Sequence, residues 1–244
     1  MDTIEAFERV SLDTFIGQQN IIETIKISIA AAKMRNERLG HILLVGEKGS
    51  GKSTIAQAIV HELGADARIV TSNEICKPGE VAAVLMYLRE GELLIVEGFD
   101  TLRQDCLEVL CTAMQKFCLE MEIGRGPASR SIRLDLPKFT LIDISESHRG
   151  LTMEMKKCFY LDFILADYTK DELISLTEQW CALNTVNITC KAAEKLSLFA
   201  KGSNRKLTSA LKRARDFAEV INNGNIDCSI AEKTIGVLTN NGVE

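Results

Sequence analysis

Short apolar runs alternate with stretches of helical periodicity over the first two thirds of the chain. The apolar runs predict buried strands at 41–45 (HILLV), 68–71 (RIVT), 93–96 (LLIV) and 139–144 (FTLIDI). The intervening stretches place apolar residues three and four positions apart, and they predict helices at 20–38, 54–63, 81–89 and 105–117. Strands that are apolar throughout and separated by helices indicate an α/β fold with a parallel sheet flanked by helices.

Two further regions depart from this alternation. Residues 119–135 alternate around Gly124, Gly126 and Pro127, which predicts an extended hairpin. Beyond about Leu165 only helical periodicity is found, and it predicts helices at 169–183, 190–200, 203–222 and 227–238. Thr189 and Asp227 stand where N-caps are expected. We therefore expect an α/β domain over residues 1–166 and a small all-helical lid domain over residues 167–244.

Composition narrows the class of protein. The 244 residues are 46% hydrophobic and 26% charged, which is enough apolar material for a folded core. The net charge of −5 argues against a general nucleic-acid coat. We expect no membrane-spanning helix, because the chain has no run of about 18 apolar residues. The acidic start, MDTIEAFERV, is unlike a secretory signal.

Cysteine and histidine usage favours a cytoplasmic protein with reduced thiols. None of the eight cysteines forms a C-x-x-C pair, and the three histidines are scattered. Zinc sites and redox motifs usually require ligands at close spacing, so we expect neither. Several cysteines lie in apolar helical patterns, where cysteine behaves as a small hydrophobic residue.

The most specific motif is a phosphate loop. Residues 46–53 read GEKGSGKS, which satisfies G-x-x-x-x-G-K-[ST] between a predicted strand and a predicted helix. The glycines allow successive backbone N–H groups to point at phosphate oxygens. Lys52 is expected to reach the β- and γ-phosphates, and the hydroxyl of Ser53 to ligate Mg²⁺. A chance glycine-rich turn is the alternative, and the strand–loop–helix setting disfavours it.

Five segments carry a resemblance to a known family. They are Phe15-Ile16-Gly17-Gln18, the phosphate loop, Lys77-Pro78-Gly79 with Ala82-Ala83, residues 123–142 (IGRGPASRSIRLDLPKFTLI), and Lys201-Gly202-Ser203-Asn204-Arg205 followed by LKRARDFAEV. In order and spacing these segments resemble the ATPase part of the RuvB family, the AAA+ motors of Holliday-junction branch migration. The resemblance implies a P-loop AAA+ core, a helical lid, ATP or ADP with Mg²⁺, and a ring of subunits.

The resemblance also assigns site residues. It places Gly49, Lys52, Ser53 and Thr54 at the phosphates, Tyr168 against the nucleotide, and Arg205 as the lid arginine called sensor 2. With the other loop glycines, the expected cofactor-binding set is Gly46, Gly49, Gly51, Lys52, Ser53, Thr54, Tyr168 and Arg205.

The second acidic motif departs from the family. An apolar strand followed by Asp-Glu is expected, whereas this chain has LLIV followed by Glu97 and Gly98. Glu97 is a weak candidate for a ligand of the Mg²⁺-bound water. Gly98 stands at the position of the glutamate that polarises the attacking water, and loss of that carboxylate should slow hydrolysis by about two to four orders of magnitude. Asp100 follows two residues later and is not expected to substitute.

The trans-acting arginines and the sensor-1 segment differ as well. The family reads Leu-Arg-Asp-Arg-Phe where this chain reads Met155-Lys156-Lys157-Cys158-Phe159. Lys156 keeps a charge but lacks the planar fork of arginine. Ala-Thr-Thr-Arg becomes residues 144–147, Ile-Ser-Glu-Ser. We therefore assign no catalytic residue, although these changes are also compatible with a working ATPase of unusual chemistry.

Two basic segments are candidates for partner or DNA contacts. By the resemblance, hairpin 124–134 would engage a RuvA-like protein. The alternative is that the hairpin only supports the sheet. Residues 201–215 hold six basic residues and no acidic residue, which suits either phosphates or solvent. The family's C-terminal winged-helix domain has no counterpart in these 244 residues, so DNA binding is expected to be weak or indirect.

Three functions stay open at this point. The first is a RuvB-like protein that binds nucleotide, hydrolyses it slowly or not at all, and acts as an assembly or regulatory subunit of a homo- or hetero-oligomeric ring. The second is an active branch-migration motor (a helicase) that works with separate DNA-binding partners. The third is an interaction protein for which nucleotide is only a structural ligand.

Overall fold

The computed structural model describes residues 11–123 and 130–240, which divide into two units. The α/β unit holds the described residues up to Phe15, Asn20–Gly46 and Lys52–Ile164. The helical unit holds Ile16–Gln19, Glu47–Gly51 and the described residues from Leu165 onward.

Helices and strands alternate in the first part of the chain. In order they are α1 Gln19–Arg35, β1 Ile42–Val45, α2 Lys52–Leu63, β2 Ala67–Thr71, α3 Pro78–Met86, β3 Leu93–Glu97, a 3-10 turn Phe99–Thr101, α4 Gln104–Lys116, β4 Cys118–Ile123, β5 Arg130–Asp135, β6 Thr140–Ser145, α5 Met153–Lys156 and β7 Leu161–Ile164.

Five of these strands form the central sheet in the order β2-β3-β6-β1-β7, and every neighbouring pair is parallel. The register places Ser145 of β6 beside Val45 of β1, and Ile144 of β6 beside Glu97 of β3. The carboxyl ends of three adjacent strands therefore meet at one edge, where ligands of open α/β sheets bind. The predicted α/β fold with a parallel sheet is confirmed.

One face of the sheet buries a large apolar cluster under α3 and α4. Leu43, Leu94 and Leu141 from three neighbouring strands pack there with Leu85 of α3 and Leu110 of α4, all at most 1% exposed. The helical spacing of apolar residues in α3 and α4 is thus explained by burial of one stripe against the sheet.

Hairpin strands β4 and β5 pair antiparallel outside the central sheet. Leu134 packs against the apolar cluster, whereas Ile132 is 41% exposed. Arg133 lies 3.5 Å from the carboxylate of Asp135. The expected hairpin is therefore present in its strands, while its turn, including Arg125, lies outside the described residues.

Strand β7 was not predicted from the sequence. It lies at the edge of the sheet beside β1, and Asp162 and Ile164 are exposed. An edge strand that is covered on one face only does not need a continuous apolar run, so its four residues gave no strand signal.

The helical unit is built from α6 Lys170–Asn184, β8 Asn187–Ile188, α7 Cys190–Ala200, α8 Asn204–Ile221, β9 Asn225–Ile226 and α9 Cys228–Asn240. Its core includes Leu196, Leu207 and Ala214, which are fully buried. The expected caps are confirmed: Thr189 Oγ1 accepts from the N–H of Ala192, and Asp227 Oδ1 accepts from the N–H of Ile230.

The expectation of a purely helical region was wrong in one detail. Strands β8 and β9 pair in parallel through Asn187 with Asn225 and Ile188 with Ile226. A pair only two residues long cannot produce a periodic signal in sequence. None of the described helices is long and apolar enough to cross a membrane.

His41 is a buried side chain that directly precedes β1 and forms hydrogen bonds to β6 and α4. Its Nδ1 accepts from the N–H of Leu141 at 2.8 Å, so in the neutral ring Nε2 carries the proton that it shares with the carbonyl of Met114 at 3.1 Å. Burial, with nearby Arg38 as a second cause, lowers the pKa of His41 to about 4.

Acidification should therefore destabilise the α/β unit through His41. The unfolded chain takes up a proton near the ordinary histidine pKa, whereas the folded chain resists it, so stability is lost as pH falls from about 6.5 towards about 4. Between about pH 7 and pH 5 we expect a loss of about 2 kcal/mol in unfolding free energy, measured by urea titration. His41→Gln should reduce this loss, and His61→Gln, at an exposed position, should not. An equal pH dependence in both variants would contradict the assignment.

Candidate functional site

The phosphate-loop sequence forms a tight turn after β1. Gly49 and Gly51 have φ values of +92° and +101°, which side-chain-bearing residues rarely adopt. The N–H of Ser50 donates to the carbonyl of Glu47 at 3.2 Å, which closes the turn. The Oγ of Ser50 is buried and has no hydrogen-bond partner within the protein. This combination of curled backbone and unsatisfied hydroxyl is compatible with an anion held by the loop.

Lys52 begins α2 and is only 7% exposed. Its Nζ donates to the carbonyl of Gly46 at 2.5 Å, so the ammonium is held at the start of the loop. Ser53 is exposed and Thr54 is half-buried in the first turn of the same helix. This first turn contains no acidic residue. The positive end of the helix dipole and the ammonium of Lys52 together favour a negatively charged ligand.

Backbone hydrogen bonds hold the strand ends beside this loop. The N–H of Gly46 donates to the carbonyl of Ser145 at 3.2 Å, and the N–H of Gly98 donates to the carbonyl of Ile144 at 2.9 Å. Glu97 is half-buried at the end of β3. The parallel register thus brings Gly46, at the start of the loop, to the same edge of the sheet as Glu97 and Ser145.

Gly98 has a left-handed backbone, with φ +84° and ψ +37°. A Cβ at this position would lie 2.9 Å from Ser72 Oγ and 3.1 Å from Thr101 Oγ1. Thr101 Oγ1 also donates to the carbonyl of Gly98 and bonds to Ser72 Oγ, so these neighbours are tied together. The local backbone therefore requires glycine at the position where the resemblance expects a glutamate.

A chain of hydrogen bonds runs from β6 to the turn after β3. Ser145 Oγ donates to Asp143 Oδ2 at 2.7 Å and accepts from the N–H of Asp100 at 3.3 Å. Asp100 Oδ2 in turn accepts from the N–H and the hydroxyl of Ser147. Asp143 is fully buried, and its Oδ1 has no hydrogen-bond partner in the protein.

Burial raises the pKa of Asp143 well above its usual range. The hydrogen bond from Ser145 opposes this rise, and the charge of Asp100 adds to it. A carboxyl group in the apolar run FTLIDI was visible in the sequence, but its significance was missed, because only the fold shows that both faces of β6 are covered.

The segment where the resemblance expects the trans-acting arginines, residues 155–159, begins in α5 and continues beyond it. Met155 and Phe159 are buried, whereas Lys156 and Cys158 are half-buried between them. Cys158 Sγ accepts from Gln115 Nε2 at 3.0 Å. The segment is thus anchored to α4 by its apolar residues and by this sulfur contact.

In the helical unit, Tyr168 is 5% exposed and packs on Gly17. A Cβ on Gly17 would lie 2.9 Å from Tyr168 Cε1, which explains the need for glycine there. Gln18 Nε2 donates to the carbonyl of Ala166 at 2.6 Å, and its Oε1 accepts from the N–H of Ala166. Burial raises the pKa of Tyr168 to about 12, with Glu172 as the second cause.

Arg205 lies in the first turn of α8, directly beside the tip of the phosphate loop. Ser203 Oγ donates to the carbonyl of Lys48 at 3.1 Å, and the N–H of Asn204 donates to the carbonyl of Gly49 at 3.0 Å. A Cβ on Gly49 would clash with Ser203 Oγ and would lie 3.0 Å from the backbone nitrogen of Arg205. Gly49 and the backbone of Arg205 therefore lie close together, joined through Ser203, whose position the sequence reasoning missed.

Within residues 11–123 and 130–240, no group of three or more His, Cys, Asp or Glu side chains could hold a metal ion. A site of the kind that Mg²⁺ usually occupies needs only one or two protein oxygens, because phosphate and water supply the others. The hydroxyl of Ser53 and the carboxylate of Glu97 could supply such oxygens.

Comparison with known families matches almost the whole chain. Residues 8–165 match the Holliday junction DNA helicase RuvB P-loop domain, and residues 168–240 match the RuvB AAA lid domain.

Solved structures agree with this match. A point mutant of Thermotoga maritima RuvB is 30% identical, with a TM-score of 0.86 over 96% of this chain and 74% of its own. The T. maritima RuvB Holliday junction branch migration motor is 30% identical, with a TM-score of 0.83 over 94% of this chain and 72% of its own. The Aeropyrum pernix Orc1 protein in complex with DNA, at 14% identity, has a TM-score of 0.69 over 93% of this chain and 66% of its own, which shows only a shared fold. With both domains matched in order, this chain belongs to the RuvB family of Holliday junction helicases.

Proposed function

We propose that this RuvB-family chain binds ATP or ADP with Mg²⁺ and hydrolyses ATP slowly or not at all. It acts as a nucleotide-dependent assembly or regulatory subunit of a homo- or hetero-oligomeric ring in the cytoplasm. The observation that carries the proposal is the left-handed Gly98 beside a well-formed phosphate loop.

Nucleotide binding is supported by the chemistry of the loop. The buried, unpartnered hydroxyl of Ser50, the ammonium of Lys52 and the acid-free first turn of α2 all suit phosphate oxygens. Gly46, Gly49 and Gly51 shape the loop, Thr54 adds a polar group, and Tyr168 and Arg205 complete the proposed nucleotide contacts. Bound Mg²⁺ would neutralise phosphate charge, with Ser53 as its ligand and Glu97 acting through water.

Weak hydrolysis is supported first by Gly98. Glycine has no group that can activate water, and the backbone there does not accept a side chain without strain. Asp100 is not a ready substitute, because its carboxylate is engaged by Ser147. Loss of general-base assistance typically costs about 10²–10⁴-fold in rate.

The sensor-1 hydroxyl supplies a second argument. Ser145 gives its only proton to Asp143 and accepts from the backbone of Asp100. Its one proton is thereby directed to Asp143 and away from a phosphate or an attacking water. Asp143 is the residue that imposes this arrangement.

The trans-acting arginines supply a third argument. Lys156 and Cys158 replace both, and a lysine cannot bind two phosphoryl oxygens in the planar manner of a guanidinium. Such arginines contribute about 10³–10⁵ in rate where they act. Three elements of hydrolysis have therefore changed, whereas the phosphate loop and Arg205 are retained.

Assembly with a RuvA-like protein through hairpin 124–134 is part of the proposal. Ile132 presents an exposed apolar side chain on the described part of this hairpin, next to the exposed Arg133. Apolar residues beside arginine are typical of the centres of protein interfaces. DNA contact would then be indirect, or weak through the basic segment 201–215.

Lys52→Ala should abolish most nucleotide binding, with a loss of affinity of at least about a hundredfold, because a buried charge-assisted contact is removed. Titration calorimetry with ATP and Mg²⁺ measures the affinity, and Lys48→Ala, in the exposed part of the same loop, is the matched control.

Wild-type turnover of ATP should fall well below the roughly 1 s⁻¹ that marks the slow end of typical enzymes. Faster turnover, alone or with junction DNA and a RuvA-like partner, would support the active motor instead.

Oligomer size, measured by light scattering with and without ATP, separates regulation from a purely structural ligand. We expect nucleotide to change the assembly of wild-type protein and to leave Lys52→Ala unchanged. Identical assembly in all four samples would favour an interaction protein for which nucleotide has no regulatory role.

Gly98→Ala should destabilise the α/β unit more than Gly91→Ala. Both glycines have positive φ, +84° and +78°, but only Gly98 has neighbours within 4 Å of an added Cβ. Alanine in a left-handed conformation costs about 1–2 kcal/mol, and the contact with Ser72 adds to this at Gly98 alone. Urea denaturation measures the difference. Equal losses would mean that Ser72 moves aside and that a carboxylate is tolerated there.

The unfolding free energy of Asp143→Asn should increase relative to that of wild type as pH rises. The raised pKa keeps Asp143 protonated in the folded state after the unfolded chain has released its proton, so wild-type stability falls as pH rises above about 4. The expected slope is up to about 1.4 kcal/mol per pH unit until the folded-state pKa is passed. Unfolding free energies at several pH values test this, with the exposed Asp66→Asn as control. A pH-independent difference would show that Asp143 is not a buried, protonated acid.

A further inference from the structure

Two thiols lie near each other in the α/β unit, away from the phosphate loop. Cys111 lies on α4 and Cys158 follows α5, and both are half-buried and free. Both pack against the same apolar cluster, and the Cys158 thiol helps to raise the pKa of Cys111, so the two side chains are neighbours. Proximity of two cysteine side chains is the first requirement for a disulfide.

The fold holds this pair in place from both sides. Gln115, one helical turn after Cys111 on α4, donates to Cys158 Sγ at 3.0 Å, which fixes Cys158 over the same helix face. The thiol of Cys158 donates to the carbonyl of Glu154 at 3.7 Å, and the buried side chains of Met155 and Phe159 anchor the segment. The proximity of the two cysteines therefore follows from the packing of the segment around α5 on α4.

The two sulfurs differ in their surroundings. Burial, with the neighbouring Cys158 as the second cause, raises the pKa of Cys111, so Cys111 stays protonated at neutral pH. Cys158 Sγ instead accepts from the side-chain amide of Gln115. An external reagent should therefore meet Cys158 first, with Cys111 beside it as the resolving thiol.

We propose that Cys111 and Cys158 form a reversible intramolecular disulfide by exchange with a low-molecular-weight disulfide such as oxidised glutathione. The Cys158 thiolate attacks one sulfur of the reagent, and one glutathione thiolate leaves. Cys111 then loses its proton to solvent and attacks Cys158 Sγ, which expels the second glutathione. The two protein thiols lose two electrons and two protons, and the reagent is reduced to two thiols.

A disulfide would act on residues 155–159, the segment where the resemblance expects the trans-acting arginines. A disulfide would link Cys158 covalently to α4 and so fix the position of Lys156 and its neighbours. If the proposed assembly role is correct, this link would make assembly sensitive to the thiol–disulfide balance. The chemistry itself does not depend on that role, so the two ideas fail separately.

The test is oxidation of the full chain in a series of reduced and oxidised glutathione mixtures, followed by alkylation and intact-mass analysis. We expect loss of two free thiols without a retained glutathione, and a cross-linked peptide pair that contains Cys111 and Cys158. Reduction with excess dithiol should restore both thiols. Nucleotide binding should persist in the oxidised protein, since neither residue is in the phosphate loop.

Three variants control the test. Cys158→Ser should prevent the link, and Cys111→Ser should stop the reaction at a glutathione adduct on Cys158. Cys190→Ser, at an exposed cysteine in the helical unit, should leave the linked pair unchanged. Wild-type protein that keeps glutathione on Cys158 without ever linking to Cys111 would overturn the proposal, and this result needs no variant to fold.

Discussion

The parallel alignment of β1, β6 and β3 is the constraint on which the rest of the α/β unit depends. Because β6 lies between the other two, its last residues accept hydrogen bonds from both following turns: Ser145 from Gly46, and Ile144 from Gly98. The first residue of the phosphate loop and the turn after β3 are therefore held in one register. Any residue at the end of β6 acts on both, which is why Asp143 and its contact with Ser145 have consequences beyond their own strand.

Under the proposed function, the same edge combines retained binding chemistry with altered hydrolytic chemistry. Features that hold an anion depend on backbone curvature and a helix dipole, and the loop provides both with Lys52 at its end. Features that would drive hydrolysis depend on single side chains placed to within about 0.5 Å. At Gly98 the backbone has adapted to glycine, and the hydroxyl of Ser145 is bonded internally. A binding scaffold can thus survive while the catalytic positions around it diverge.

Much of the fold followed from the sequence because its signals are local. The apolar runs of four sheet strands and the spacing of the main helices appeared within a few residues of their observed bounds. Edge strand β7 was missed because its exposed residues break the apolar run, and the β8–β9 pair because two residues carry no period. The loop motif located the candidate site, whereas the role of Ser203 depends on a partner 155 positions away.

By itself, the sequence determined the order of elements, the phosphate loop and the family, since each rests on residues adjacent in the chain or on motif spacing. Only the tertiary structure decided that Gly98 is held left-handed against Ser72, and that Asp143 is buried without a partner for one oxygen. It also decided that Cys158 lies near Cys111. These are contacts between distant parts of the chain, and they are set by sheet order and helix packing, which no local pattern encodes.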